Sequence, residues 1–440
     1  MKLRTFKGGI HPPDNKHWTS HKAIEDCPLP DQLVVPLSQH IGAPSVACVE
    51  AGQQVAKGQE IGSAKGFVSA PVHAPTSGEV VAIENRPHPF GTSLPAVVIK
   101  PDGEDSWLSN LQFTDPGSLT SEEVIEKVRQ AGVVGMGGAA FPAHVKMSPP
   151  PEKPIRTLLF NGVECEPYLT SDHRMMLEES ERVLQGVSLL QYVYGAERVV
   201  IGVEANKPDA IALLQKQCAD TPVEILPLQV KYPQGAEKQL IAAATGKEVP
   251  SGGLPMDVGV AVHNVSTAAA VADAVMLGRP LIERVCTVTG PAIKEPKNLR
   301  VRIGMPLAHL VEVCGGMVED PGKIILGGPM MGFTQVGFDV PVVRGTSGLL
   351  LLREEDVTKA PEGPCIRCAR CVQACPMKLL PTTIAAYARR DLVEETEEYC
   401  AMDCIECGSC SYVCPANLPL VQSIRHGKAA VLAKKRKALL

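Results

Sequence analysis

The sequence predicts a multidomain α/β protein, and three observations carry that prediction. Short β segments separated by Gly and Pro fill residues 30–100. Strand and helix patterns then alternate from residue 119 to about 277, and nine of the fifteen cysteines fall between Cys365 and Cys414. A length of 440 residues allows about three domains, and 45 % hydrophobic with 21 % charged residues excludes a disordered chain. The 43 basic and 48 acidic side chains leave a net charge of −5, which argues against a nucleic-acid partner. No uninterrupted apolar run reaches the roughly 18 residues of a membrane-spanning helix. The most apolar stretch, 259–278, is broken by His263, Asn264 and Asp273. The opening MKLRTFKGGIHPP has no apolar stretch before its Pro pair, so no secretory signal and a cytoplasmic compartment are expected.

Taken in order, residues 1–29 are polar and Pro-rich and read as an irregular arm. Residues 30–117 carry the strand candidates LVVPL, VACVEAGQQV, KGQEIG, GEVVAIE and AVVIK, with a turn signal every eight to twelve residues, the pattern of a small barrel or sandwich. Within them PVHAPTSGEVVAIE, at 71–84, resembles the hairpin of lipoyl and biotinyl carriers. The position of a carrier's modified lysine falls on Phe67, so a docking module is expected rather than a carrier. Residues 118–283 read as an α/β layer domain. Thr120 and Glu123 form a capping-box pattern ahead of a helix with Val124, Ile125, Val128 and Ala131 on one face, and Gly132 can end it. Strands are expected at 156–160, 197–203, 223–226 and 258–262, with helices at about 171–194, 207–218, 235–244 and 266–277. Ligands of such sheets sit beyond the carboxyl ends of the strands, where Asn161, Glu204 and Asn264 stand. Residues 284–345 hold the strands RVCTVTG and KIILGG and a short helix closed by Gly315. Residues 421–440 form a basic tail, either solvated or facing anionic lipid.

The cysteine block, residues 360–420, repeats one pattern, CIRCARCVQACP at 365–376 and CIECGSCSYVCP at 404–415. Each is C-x2-C-x2-C-x3-C-P, the pattern of bacterial two-cluster ferredoxins, in which three cysteines hold one [4Fe–4S] cluster and the fourth ligates the other. That rule assigns Cys365, Cys368, Cys371 and Cys414 to cluster one. It assigns Cys404, Cys407, Cys410 and Cys375 to cluster two, with Cys400 outside both. Eight thiolates also suffice for two zinc sites, the alternative that the count alone leaves open.

Four further segments point to a dinucleotide or flavin. GVVGMGGAAFPAHVKM, at 132–147, places Gly135, Gly137 and Gly138 where backbone can approach a ligand at a helix start; a tight structural turn is the plainer reading. NGVECEPYLTSDHR, at 161–174, sets Glu164 and Glu166 beside Asn161 at a strand end, where acids and amides can read ribose hydroxyls or a nicotinamide; a solvated loop before a helix is the alternative. YPQGAEKQL and HNVSTAAA add Gly235, Glu237, His263 and Asn264, each ambiguous alone.

In this order, GGxxFP, N-x-x-E-x-E-P, Y-x-x-G-x-E and N-V-x-T, the segments resemble the flavin-binding subunit of respiratory complex I, over about residues 118–345. The whole chain, from FKGGIHPP to the twin cysteine motif, resembles the C subunit of Rnf electron transport complexes. The resemblance implies a barrel-sandwich-like module at 30–117, an FMN- and NADH-binding domain at 118–283, a β-grasp (soluble-ligand-binding) domain at 284–345 and a helical two-cluster ferredoxin domain at 360–420. It implies FMN and NAD(H) contacts at Gly135, Gly137, Gly138, Asn161 and Asn264, a flavin-phosphate lysine at Lys146, and nicotinamide-side contacts at Phe141, Glu166 and Glu237. Glu164, Gly235 and His263 complete the set. Met136, Val163, Ala236 and His263 depart from complex I, which has Arg, Asp, Glu and Asn there. The function implied is a peripheral subunit on the cytoplasmic face of the inner membrane. It would exchange electrons between NAD(H), FMN and two [4Fe–4S] clusters, with integral membrane and ferredoxin-like partner subunits. The rival expectation is an iron–sulfur adaptor whose flavin core is vestigial.

Overall fold

The computed structural model describes residues 3–109, 111–358 and 360–438. The N-terminal arm has little regular structure of its own, yet other parts of the chain hold it along its length. Arg4 bridges to Leu228, and Ile10 bridges to Tyr232. A 3₁₀ turn spans Lys16–Trp18, and β1 (Ile24–Asp26) pairs in parallel with residues 298–300. No periodicity in the arm foretells β1; its register comes from the partner strand.

The barrel module is built from β2 (Leu33–Pro36), β3 (Val46–Ala47), β4 (Gln54–Val55), β5 (Glu60–Ser63), β6 (Val72–His73), β7 (Gly78–Pro87) and β8 (Ser93–Pro101). They form a four-stranded sheet, β2-β8-β7-β4, and a three-stranded one, β3-β5-β6, both antiparallel. The loop at Phe67 is docked rather than free as in a carrier: the His144 ring nitrogen Nε2 lies 3.0 Å from the Phe67 carbonyl.

In the central domain α1 (Ser121–Gln130) begins with the expected capping box. The Glu123 amide donates to the Thr120 hydroxyl, and the Thr120 amide donates to the Glu123 carboxylate. Next come α2 (Ala143–Lys146), β9 (Thr157–Gly162), α3 (Ser171–Glu178), α4 (Ser180–Tyr194), β10 (Arg198–Glu204) and α5 (Pro208–Gln217). Then follow β11 (Val223–Leu228), α6 (Glu237–Thr245), β12 (Val260–Asn264) and α7 (Val265–Met276). The four strands form one parallel sheet, β11-β10-β9-β12. Successive residues of β9 serve opposite faces. Leu158 and Phe160 pack with residues of α1, α4 and α7, whereas Leu159 packs with Leu240, Ile241 and Ala244 of α6. The single helix expected over 171–194 is broken at Glu179, whose carboxylate pairs with Arg182 and Arg300.

The β-grasp region supplies β13 (Glu283–Thr289), β14 (Lys297–Arg302), α8 (Leu307–Val313), β15 (Lys323–Leu326), β16 (Phe333–Gln335) and β17 (Gly348–Leu352). With β1 they make a six-stranded mixed sheet, β1-β14-β13-β17-β15-β16. The sheet thus reaches past residue 345 and takes a strand from the arm. Its core is continuous with the barrel module: Leu33, Val35, Val97 and Ile99 share one buried cluster with Cys286, Val288, Leu299 and Leu349.

The cysteine-bearing module consists of α9 (Arg370–Ala374), α10 (Pro381–Ala388), α11 (Val393–Glu398), α12 (Ser409–Tyr412) and α13 (Leu420–Ala438). Residues 421–438, read as a tail, belong to α13. Leu420, Ile424 and Val431 are buried, and Gly427 lets α13 close on Ala388 and Thr396, its ideal Cβ lying 2.7 and 2.8 Å from them. Four of the six basic residues pair with acids, Arg425 and Lys428 with Glu406, Lys434 with Glu394 and Lys435 with Glu397. Residues 439–440 of the basic tail lie outside the described residues.

Candidate functional site

The carboxyl ends of β9 and β12 lie side by side, with Asn161 and Asn264 in register. Asn264 caps α7: its side-chain oxygen accepts from the amides of Ser266 and Thr267, 2.8 and 3.3 Å away. Its amide nitrogen donates to Asp172 (2.7 Å). Asn161 donates to the Gly235 carbonyl (2.7 Å) and so ties β9 to the loop before α6.

The glycine loop folds over this pair. The Gly135 amide donates to the Phe141 carbonyl (2.9 Å), which closes the loop. The Met136 amide donates to the Thr267 hydroxyl (2.9 Å), and the Met136 carbonyl accepts from the buried Arg284 guanidinium. A Cβ at Gly137 would lie 2.8 Å from the Asn264 amide nitrogen, whereas one at Gly138 would meet nothing within 4 Å. The loop therefore presses on Asn264 at Gly137 and opens to free space at Gly138. Lys146 donates to the Val262 carbonyl (2.9 Å), two residues before Asn264, and pairs with Glu237 (3.1 Å), both groups partly exposed. Exposed backbone at Gly138 and a partly exposed lysine fit a flat, phosphate-bearing cofactor such as FMN, with the two asparagines fixing the strand ends behind it.

Three of the expected site residues turn elsewhere. The Glu164 carboxylate accepts from the amides of Asp172 and His173 and from the Ser171 hydroxyl, at the start of α3. Glu166 is half-buried and accepts from the amides of Met330 and Met331 (3.1 and 2.8 Å) and from the Tyr232 hydroxyl (3.5 Å). Burial pushes its carboxyl up to about 7 against the pull of those amides. His263 is buried, its Nε2 is 2.9 Å from the Tyr194 hydroxyl, and desolvation holds it neutral. Phe141 is half-buried, and Gly235 leaves only 3.3 Å between an ideal Cβ and the Cys165 sulfur.

Several residues that shape the site carry no local signal in the sequence. Asp172 lies inside a motif already singled out. Burial and the nearby Glu164 raise its carboxyl to about 6, although Ser266 and Asn264 donate to it. Lys16 of the arm donates from its buried ammonium to the carbonyls of Glu166 and Leu169. Lys207 does the same to the Val163 carbonyl (2.7 Å). The Lys16–Glu166 and Lys207–Val163 contacts join residues 150 and 44 positions apart, beyond the reach of any local pattern.

The cysteines divide by environment. Cys375, Cys404, Cys407 and Cys410 form one electrostatic group. Burial raises Cys404 to about 11 and Cys410 to about 12, and the other thiolates of the set add to each rise. Bonding to iron displaces such protons outright. Cys371 and Cys414 join the hydrophobic cluster of Cys410 and Cys404, and the Gly363 amide donates to the Ala416 carbonyl (2.9 Å), bringing the first motif beside the end of the second. Cys365 and Cys368 are exposed. Cys400 is exposed too, and its thiol donates to the Glu398 carbonyl (3.6 Å). Among the described residues no group of three or more His, Cys, Asp or Glu is arranged to hold a single metal ion. Thiolates around a cubane stand further apart than thiolates sharing one ion, and the eight-cysteine donor set suits two such clusters.

Known families cover most of the chain. Residues 4–104 match the RnfC barrel sandwich hybrid domain, 128–273 the Nuo51 FMN-binding domain, 285–334 the SLBB domain and 364–418 the 4Fe-4S dicluster domain. The chain is 49 % identical, over 97 % of its length and 94 % of the relative's, to the C subunit of the proton-translocating ferredoxin:NAD(+) oxidoreductase complex of Clostridium ljungdahlii. It is 47 % identical, over 99 % of both lengths, to the C subunit of the Na(+)-translocating ferredoxin:NAD(+) oxidoreductase complex of Acetobacterium woodii. It is 43 % identical, over 96 % of its length and 82 % of the relative's, to the C subunit of the ion-translocating oxidoreductase complex of Rhodobacter capsulatus. With identity at that level across nearly every residue, and with the flavin cradle and the twin cysteine sets in one chain, this protein belongs to the RnfC family, the C subunits of Rnf-type ion-translocating oxidoreductase complexes.

Proposed function

We propose that the chain is the peripheral electron-exchange subunit of a membrane-bound ion-translocating oxidoreductase, linking NAD(H) through FMN and two [4Fe–4S] clusters to integral membrane and ferredoxin-like partner subunits. One observation carries the reading: the order of the parts. The cluster-two loop is buried against the flavin domain, where the Tyr232 hydroxyl donates to the Cys407 carbonyl (2.8 Å). The cluster-one ligands Cys365 and Cys368 are exposed. Such an order suits a relay that runs from a closed flavin site to an open surface. FMN, when bound, exchanges hydride with the nicotinamide and electrons singly with the clusters, and the protein supplies position and environment.

The residues then divide the work. Gly138 leaves room for the cofactor, Asn264 donates to the Asn161 carbonyl (3.4 Å) across the strand ends, Asn161 holds the Gly235 carbonyl, and Lys146 offers a cation beside Glu237. The two similar relatives named for protons and for Na(+) are 49 % and 47 % identical to this chain, which supports placing the choice of ion in other subunits. We place the protein on the cytoplasmic face of the inner membrane, attached through its partners. Among the described residues no helix is long and apolar enough to cross a membrane. The open space at Gly138 suits the flavin reading, and the cofactor content of the purified protein separates it from the adaptor.

The test is anaerobic purification followed by cofactor extraction. Flavin, about eight iron and eight sulfide per chain, and bleaching of the flavin band by NADH are expected. Iron–sulfur absorbance that persists without flavin, even after FMN is supplied, would replace this reading with the adaptor.

A further inference from the structure

We infer that the N-terminal arm, through Gly8, Gly9 and Ile10, is a positioning element that sets how cluster two sits against the flavin site. The inference rests on the electron-exchange reading above. The arm lies between the two modules and bonds to both. The Gly9 amide donates to the Ala374 carbonyl (2.8 Å), beside the cluster-two ligand Cys375. The Ile10 amide donates to the Tyr232 carbonyl (2.8 Å), and the Tyr232 amide returns the bond to Ile10 (2.9 Å). Tyr232 in turn donates from its hydroxyl to Cys407, a second cluster-two ligand. Three residues further along, the Gly235 carbonyl holds Asn161 of the flavin site.

The glycines fit this place because nothing larger does. Gly8 has φ +82°, and an ideal Cβ would lie 2.7 Å from the Cys375 carbonyl oxygen. Gly9 has φ +79°, and its Cβ would lie 2.6 Å from the Tyr232 carbonyl oxygen. Both neighbours are backbone, which cannot swing aside as a side chain can. The buried apolar contact at this junction is small, with Ile10, Tyr232, Ala374 and Cys407 at its centre. Small polar junctions between domains permit relative motion by default. Here the arm adds a reciprocal backbone bridge to Tyr232 on one side and one amide hydrogen bond to the Ala374 carbonyl on the other. The step it governs is the transfer of one electron at a time from reduced flavin, which is oxidised, to cluster two, which is reduced. No covalent bond to protein forms or breaks, and the flavin's protons leave to solvent.

The test uses the full-length holoprotein and two variants. Gly8→Ala is expected to keep wild-type flavin and iron and an unchanged electron paramagnetic resonance spectrum of the dithionite-reduced clusters. It should also keep the wild-type rate of flavin reduction by NADH in stopped flow. Hydrogen exchange at residues 8–10 should quicken, and NADH-driven reduction of cluster two should slow severalfold, because electron tunnelling between two held sites falls steeply as they move apart. Tyr232→Phe removes one hydroxyl and keeps the ring, and should show the same split at smaller size. A wild-type rate of cluster-two reduction in Gly8→Ala would overturn the inference. Loss of iron in proportion to loss of rate would also overturn it, because the arm would then serve cluster assembly. If Gly8→Ala fails to fold, the Tyr232→Phe split decides by the same criteria. Failure of NADH to reduce cluster two in the wild-type protein would instead refute the electron-exchange reading.

Discussion

The glycine loop offers a comparison of two adjacent methyl groups. At Gly138 an added Cβ meets no protein atom within 4 Å, and the residue is outside the left-handed region. Alanine there should leave the fold unharmed, or stabilise it by about 0.4–1 kcal/mol by restricting the unfolded chain. If the open space is the flavin's, the methyl overlaps the cofactor. Overpacking of that kind costs about 1–3 kcal/mol, which weakens FMN binding by about 5- to 140-fold. At Gly137 the same methyl lies 2.8 Å from the Asn264 amide nitrogen and 2.9 Å from its Cβ. Asn264 must then move, and two bonds suffer. Loss of the α7 cap costs about 0.5–2 kcal/mol, and loss of a donor to the half-buried Asp172 costs about 1.5–3 kcal/mol. Gly137→Ala should therefore destabilise by about 2–5 kcal/mol, seen as faster amide exchange in α7. The assay titrates flavin-depleted protein with FMN by fluorescence quenching and follows α7 by hydrogen exchange in the same samples. Wild-type FMN affinity in Gly138→Ala would mean that the loop is only a turn, and the flavin assignment at 135–138 would have to be withdrawn.

Other consequences are as direct. Cys400→Ser should leave iron and sulfide unchanged, because Cys400 is exposed and bonds only its own turn, whereas Cys371→Ser should cost one cluster and spare the other by electron paramagnetic resonance. Burial holds Glu166 at about 7 instead of an ordinary 4.5, so the unfolded chain releases this proton first and stability should fall as pH rises from about 4.5 to 7. Glu166→Gln should flatten that part of the stability profile, and an unaltered slope would show that Glu166 ionises normally. Arg367 and Arg370 flank exposed Cys368 and have no ion-pair partner among the described residues. The double Arg→Glu variant should slow electron transfer to an acidic ferredoxin at low salt, with the gap closing at high salt; a salt-independent rate would count against docking there. Met136→Arg, which restores the complex I residue, should lower thermal stability and give no tighter FMN binding.

How much could be read from the sequence depended on the range of the interaction. The capping box at Thr120 and Glu123, the four parallel strands and the strand-end asparagines all follow from local periodicity and strand order. The break at Glu179 does not, because the Arg300 that draws the carboxylate away lies 121 residues off. The arm escaped for the same reason. Its order comes from Tyr232, Ala374 and Asn298 rather than from any repeat in residues 3–26. Glu164 and Glu166 are two residues apart and chemically alike, yet one caps α3 and the other bridges to Met330 and Met331. Spacing identified both as strand-end acids; the donors they meet, at the start of α3 for Glu164 and more than 160 residues away for Glu166, separate their roles.

The four departures from complex I gain a physical account from where their side chains lie. Val163 is fully buried in the cluster beneath the sheet with Leu240 and Leu228, and an ideal Cβ on Gly235 would stand 3.3 Å from it. An aspartate there would lose its water to an apolar cluster. Met136 is 5 % exposed within the main core, and its own carbonyl already receives the Arg284 guanidinium. A second guanidinium at that position would be buried beside a first of like charge, which is why Met136→Arg should destabilise rather than tighten the site. His263 fills the space beside Tyr194, where desolvation keeps its ring neutral. Only Ala236 is half-exposed, ahead of α6 and next to Glu237. Three of the four changes thus replace polar groups by residues that pack behind the cradle. Of these, only Met136 lies in the loop itself, whose support still includes the Thr267 hydroxyl on its amide and the Arg284 guanidinium on its carbonyl.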